Sequence, residues 1–150
     1  MEHVIWVIGN DRRDMILAQR KINSTGSMRA FCMLSEAAVH KAVNVQNSNQ
    51  PGLSSFPSLI IMDYQMAHEE DFATLSFIKR QEALAGVPFF IMTEERNPEI
   101  DEICFAKGAM VVLHKPFSAS GILRIEQVAW QHEVTKNYEK MLQKQAGDLQ

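Results

Sequence analysis

Five short apolar runs, at residues 4–8, 28–34, 59–62, 89–92 and 110–113, are separated by segments whose apolar residues recur at helical spacing. A run that is apolar throughout, rather than at every second position, is what a strand buried on both faces requires. Strands of that kind alternating with helices make an α/β domain, a parallel sheet covered by helices on both sides. The helical segments carry Met15, Ala18 and Ile22, then Ala38, Ala42 and Val45, then Leu75, Ile78 and Leu84 as their inward positions. Turn-forming stretches mark the boundaries: Ser24-Thr25-Gly26-Ser27, Pro51-Gly52-Leu53-Ser54-Ser55, Gly86-Val87-Pro88 and Gly108. Residues 46–58 form the longest loop, and no internal repeat or low-complexity tract is present.

A chain of 150 residues buries about 70% of its unfolded surface in one core, so the length calls for a single domain. Lys and Arg number 15 against 18 Asp and Glu, a formal charge of −3, which provides no electrostatic footprint for nucleic acid or an anionic membrane. No apolar run approaches the roughly 18 residues of a membrane span, and the first run leads straight into Asp11, Arg12 and Arg13 rather than a cleavage site. A cytoplasmic protein is expected. Cys32 and Cys104 lie in apolar stretches without metal-ligand spacing and are expected as buried free thiols. The nine methionines read as core filler, and His114 as an exposed loop histidine.

From Ser118 one helical pattern runs through Ile122, Ile125, Val128, Ala129, Val134, Tyr138 and Met141 to near Gly147, with Ser118 or Ser120 as its N-cap. That is longer than one small sheet can cover. The division expected is a domain over residues 1–131 and a helical extension over 132–150. In the extension Glu133, Glu139 and Asp148 balance Lys136, Lys140 and Lys144. Trp130, Val134, Tyr138 and Met141 form a partly apolar stripe suited to a short coiled coil or homodimer seam through the last helices, or to a helix leading toward an output domain.

In an open parallel sheet the ligand site lies outside the carboxyl ends of the strands. Asp63 follows the third run, Thr93 the fourth, and His114-Lys115-Pro116-Phe117 the fifth. A carboxylate, a hydroxyl and an ammonium converging there suit phosphoryl transfer: Asp63 as nucleophile, with Lys115 and Thr93 on the phosphoryl oxygens. Glu69, Glu70 and Asp71, and then Glu94, Glu95, Glu99, Asp101 and Glu102, crowd the same edge. A solvated acidic face beside helix N-termini accounts for them.

The segments Ile60-Ile61-Met62-Asp63-Tyr64-Gln65-Met66, Phe90-Ile91-Met92-Thr93, Phe105-Ala106-Lys107-Gly108-Ala109 and Lys115-Pro116-Phe117-Ser118 together resemble the receiver domain of two-component response regulators, over roughly residues 3–131. The resemblance implies a flavodoxin-like fold with strand order 2-1-3-4-5 and an extended C-terminal helix. It also implies a phosphoacceptor at Asp63, phosphoryl contacts from Thr93 and Lys115, and a histidine kinase or phosphotransfer protein as donor. The activity implied is phosphorelay signalling, not enzymatic turnover beyond the domain's own phosphorylation and dephosphorylation.

The implied cofactor is Mg2+, held by an acidic pair after the first strand, by Asp63 and by the carbonyl of Gln65. Here the sequence departs from the family. One alignment puts Gly9 and Asn10 in the acidic places, and a shift of one residue puts Asn10 and Asp11 there, so the metal site formed by Asn10, Asp11, Asp63 and Gln65 is weak or absent. Glu94 stands where the family has a small residue, Ala67 where proline is common, and Val112 where a switch aromatic is usual. These departures point to an alternative, a pseudo-receiver that works through partner binding without phosphorylation. A flavodoxin-like nucleotide binder is a third reading, disfavoured because no Gly-rich phosphate loop follows the first strand.

Overall fold

The computed structural model describes residues 2–48 and 56–148. Its strands are β1 (His3–Ile8), β2 (Met28–Met33), β3 (Leu59–Asp63), β4 (Phe89–Thr93) and β5 (Val111–His114). All are paired in parallel, in the order β2-β1-β3-β4-β5. Each expected run is a strand within a residue or two of its limits. The three inner strands, β1, β3 and β4, are buried at every position, whereas the edge strand β2 leaves Arg29 and Phe31 exposed and alternates. An edge strand at the rim of its helical cover meets solvent on part of one face, which the continuous apolar run did not reveal.

The helices are α1 (Arg12–Asn23), α2 (Glu36–Asn47), α3 (Tyr64–Glu69), α4 (Ala73–Lys79), α5 (Pro98–Ala106) and α6 (Ala119–Asp148). One face of the sheet carries α1 and α6, with Met15, Ala18, Ile22, Ile125 and Ala129 packed on Ile5, Val7, Ile61 and Phe90. The other face packs Trp6, Ile8, Ile60 and Ile91 against Val39, Val43, Leu75 and Ile78. In α2 the buried stripe is Val39 and Val43, one residue round from the expected Ala38, Ala42 and Val45, which are only partly buried. The larger β-branched side chains exclude more water than the neighbouring alanines, so they take the inward positions.

The third crossover, expected as one helix, is divided into α3, α4 and a short 3-10 turn at Glu82–Leu84. Between α3 and α4, Asp71 and Phe72 adopt left-handed backbone at φ 51° and 60°, a conformation that costs a non-glycine residue energy. Burial of the Phe72 ring and the bond from Thr74 Oγ1 to Glu70 Oε2, 2.5 Å, hold the corner. Most of the expected 46–58 loop lies outside the described residues.

The long C-terminal helix is a single element. Ser118 is its cap: the hydroxyl accepts from the Gly121 amide at 3.1 Å. Beyond residue 131 the helix still touches the domain through Ser58 Oγ to Glu133 Oε1, 3.5 Å, and through Lys136 Nζ 4.1 Å from the Phe56 ring centroid. Trp130, Val134, Tyr138 and Met141 are each about half exposed or more. Cys32 and Cys104 are free thiols, Cys104 buried as expected and Cys32, on the edge strand β2, only partly so. Burial, followed by the charge of Asp101, pushes the Cys104 thiol up to about 11, which leaves it a protonated apolar side chain at neutral pH. Among the described residues no helix is long and apolar enough to cross a membrane.

Candidate functional site

In the order 2-1-3-4-5 the chain reverses direction across the sheet between β1 and β3, and the crevice at their carboxyl ends is where such sheets bind ligands. Asp63 is the last residue of β3 and the N-cap of α3; it is 4% exposed. Its Oδ1 accepts from the Gln65 amide at 2.8 Å, and its Oδ2 accepts from Lys115 Nζ. Lys115 follows β5 directly. Its amide donates to the Thr93 carbonyl at 2.9 Å, its peptide bond to Pro116 is cis, and Lys21 Nζ holds the Phe117 carbonyl at 2.5 Å. The loop that carries the lysine is thus tied to β4 and to α1. Thr93 ends β4 and is buried, with its Oγ1 accepting from the Glu95 amide at 3.1 Å. The hydroxyl's own proton stays available to donate.

Asp63, Thr93 and Lys115 are therefore brought to one edge as the sequence indicates. A fourth residue joins them. Asp14, in the first turn of α1, accepts from Lys115 Nζ at 2.8 Å. The ammonium bridges two carboxylates. Burial by itself would lower the pKa of Lys115, but the hydrogen bonds it donates to Asp14 and Asp63, and then their charges, reverse this and raise it. Asp14 was invisible in the sequence because an acidic residue in the first turn of a helix needs no explanation beyond the helix dipole. Its distance of 101 residues from Lys115 gave no spacing to read.

The residues considered for a metal are placed differently. Asp11 is exposed and is the N-cap of α1, its Oδ1 accepting from the Asp14 amide at 3.0 Å. Asn10 is exposed. Gln65 is exposed in the first turn of α3, with its amide donating to Asp63 Oδ1. At Gly9 a Cβ would stand 2.6 Å from Met15 Cε and 3.0 Å from Asp63 Cβ, so the Met15 thioether fills the space of a side chain there. Among the described residues no group of three or more His, Cys, Asp or Glu is arranged to hold a metal ion. Mg2+ is held by one or two carboxylates with waters and phosphate oxygens, and of the two residues considered for it after β1 Asn10 carries no charge and Asp11 is exposed and engaged as the α1 cap. The residues at that position do not fit the ion.

Glu94 is exposed and lines, with Asp14, Leu17, Met92, Lys115 and Phe117, a cavity of about 360 Å3 beside the ammonium. Asn97 caps α5, with Glu99 and Asp101 in its first turn, which agrees with a solvated acidic face on a helix N-terminus. His114, expected on an exposed loop, instead ends β5 with its side chain only 29% exposed and Nε2 3.5 Å from Asp101 Oδ1. Val112 is partly buried against the core, and Ala67 is fully buried in α3.

No family model matches the chain. It is 22% identical over 123 residues to the two-component response regulator ORR1 of Oryza sativa subsp. indica, an alignment that takes in 82% of this chain and 53% of that protein. It is 33% identical over 69 residues to the two-component response regulator ARR16 of Arabidopsis thaliana, covering 46% of this chain and 42% of that one. The chain thus spans about half the length of the curated relatives it matches, or less. Among solved structures, the chemotaxis protein CheY4 of Vibrio cholerae superposes with a TM-score of 0.64 at 19% identity, over 85% of this chain and 98% of that one. The fold is the flavodoxin-like fold of receiver domains.

Proposed function

We propose that this chain is a response-regulator receiver in two-component phosphorelay signalling. On this reading Asp63 accepts a phosphoryl group from a histidine kinase or phosphotransfer protein, and the change is passed on through altered protein contacts. The observation that supports it is the contact of the Lys115 ammonium with the Asp63 carboxylate, with Thr93 ending the neighbouring strand at the same edge of the sheet. An Asp63 oxygen attacks phosphorus, the bond from phosphorus to the donor breaks, and the donor nitrogen leaves with a proton. Lys115 moves from the carboxylate to the phosphoryl oxygens and Thr93 donates to another, which neutralises the charge that transfer delivers. The domain works in the cytoplasm and turns over no substrate of its own beyond this transfer and its hydrolysis.

Incubation with acetyl phosphate or phosphoramidate, with and without Mg2+, is expected to add one phosphoryl group by intact mass, absent from Asp63→Asn. No adduct under either condition overturns the phosphotransfer reading. That result would favour the second reading, a pseudo-receiver whose contacts do not depend on phosphorylation. Its support is the use of Asp11 as a helix cap and of Met15 as filler at Gly9, where the family pattern calls for metal carboxylates.

The part of α6 from residue 132 onward is proposed as a helical extension through which two copies associate. Its support is the exposed row Trp130, Val134, Tyr138 and Met141 on one helix. Sedimentation equilibrium is expected to give a dimer that the paired substitutions Val134→Glu and Met141→Glu convert to monomer. These positions are preferable to a deletion, which would also remove the Glu133 and Lys136 contacts. An unchanged mass would remove the seam.

A further inference from the structure

Asp14 has no part in the phosphoryl-transfer set read above, yet it shares the Lys115 ammonium with Asp63. Because both carboxylates meet at one nitrogen, Asp14 Oδ2 and Asp63 Oδ2 are held within roughly two hydrogen-bond lengths of each other. Two carboxylates so close repel unless a cation stands between them. The Lys115 side chain is 14% exposed and Asp63's 6%, so water does little of this screening. Among the described residues the cation between them is the Lys115 ammonium, and the adjoining cavity, with Glu94 on its rim, leaves room for the water shell that a hydrated metal ion would carry.

We propose that the Lys115 ammonium is the resident cation of an Asp14–Asp63 carboxylate pair, that Asp14 is the residue positioning it there, and that its presence excludes a divalent metal. The pair is a latent metal site whose occupant is tethered to β5. This also explains how the chain tolerates Gly9 and Asn10 at the end of β1: the charge that a metal would balance is balanced by Lys115, and the carboxylate missing from the strand end is replaced one turn into α1. The inference deepens the receiver reading and rests on it only for the identity of the site.

The test is metal binding, with Mn2+ as the probe, followed by electron paramagnetic resonance, and with Mg2+ followed by calorimetry. The wild-type chain is expected to show no saturable binding at millimolar ion. Lys115→Met is expected to bind one ion per chain and to gain thermal stability on adding it. The double variant Asp14→Asn with Lys115→Met is expected to bind at least about tenfold more weakly than Lys115→Met, the loss of one of two carboxylate ligands. Wild-type binding that disappears in Asp63→Asn overturns the inference, as does a folded Lys115→Met that binds nothing.

Should Lys115→Met fail to fold, Asp14→Asn alone decides. The acetylation rate of Lys115 by acetic anhydride, read by peptide mass, is expected to rise about tenfold once one of its two charge-assisted bonds is lost. An unchanged rate overturns the positioning role. A wild-type chain that takes neither metal nor phosphoryl group supports this inference and removes only the phosphotransfer reading. One that binds metal through Asp63 overturns the inference whether or not it is phosphorylated.

Discussion

Replacing Lys115 with methionine is expected to destabilise the fold by about 3–5 kcal/mol, seen as a fall in the urea midpoint at neutral pH with an unchanged slope. The size comes from what is left behind. Asp63 is 4% exposed, and Lys115 is the cation on its Oδ2. Without the ammonium, a carboxylate buried at the end of β3 keeps only its bond from the Gln65 amide and faces Asp14 unscreened.

The reverse substitution, Asp63→Asn, is expected to cost only about 1 kcal/mol, because Lys115 retains Asp14 as its partner. Combining Lys115→Met with Asp63→Asn should restore most of the lost stability, since the uncompensated charge is then gone. Equal costs for the two single variants would show that Asp14 does not hold the ammonium. The pH dependence has a definite sign. Burial alone would lower the pKa of Lys115, but Asp14 and Asp63 raise it above the ordinary lysine value of 10.5. Its contribution is therefore complete at neutral pH and is lost only as the pH climbs past 10.5 and through the raised value.

Trp6→Ala is the second large effect, with an expected cost of about 3–5 kcal/mol. Trp6 is fully buried in β1, a strand flanked on both sides by partners, with Phe31 and Ile60 beside it in register. Its ring belongs to the cluster on the α2 and α4 face, among Ile8, Val39, Ile60 and Ile91. No neighbouring backbone can close over the space because both adjoining strands are fixed by the sheet. Trp130→Ala, made in the monomeric Val134→Glu, Met141→Glu background, serves as the control, with an expected cost within about 0.5 kcal/mol, since that ring is 61% exposed and stands edge-on to His3 at 5.9 Å. Chemical denaturation of both variants checks the contrast, and comparable costs would refute the assignment of Trp6 to the core.

Particular residues show how far the fold was legible beforehand. The strand runs are clear in the sequence because inner parallel strands have no polar face, so β1, β3 and β4 stand out as unbroken apolar stretches. In α1, Met15, Ala18 and Ile22 recur at helical spacing and all three are buried as expected, while the neighbouring Ile16 and Leu17 are exposed. In α2 the run Ala37-Ala38-Val39 and the pair Ala42-Val43 offer two adjacent stripes of similar polarity, and only contact with the sheet selects Val39 and Val43. The corner at Asp71 and Phe72 carries neither Gly nor Pro, so nothing local announces that the crossover breaks there.

The candidate site divides in the same way. Asp63 and Thr93 end strands and Lys115 follows one directly, so a parallel sheet gathers all three at one edge whatever the details of packing. That much follows from the order of residue types along the chain, because strand direction and strand ends are local properties. The partner of the lysine and the half-buried His114 are not local. The first depends on how α1 and the segment after β5 approach across 101 residues of chain, and the second on how α5 packs beside β5. Hydrophobic periodicity carries no information on which charged side chains will meet, because exposed and ion-paired carboxylates look alike until the fold brings a cation to one of them.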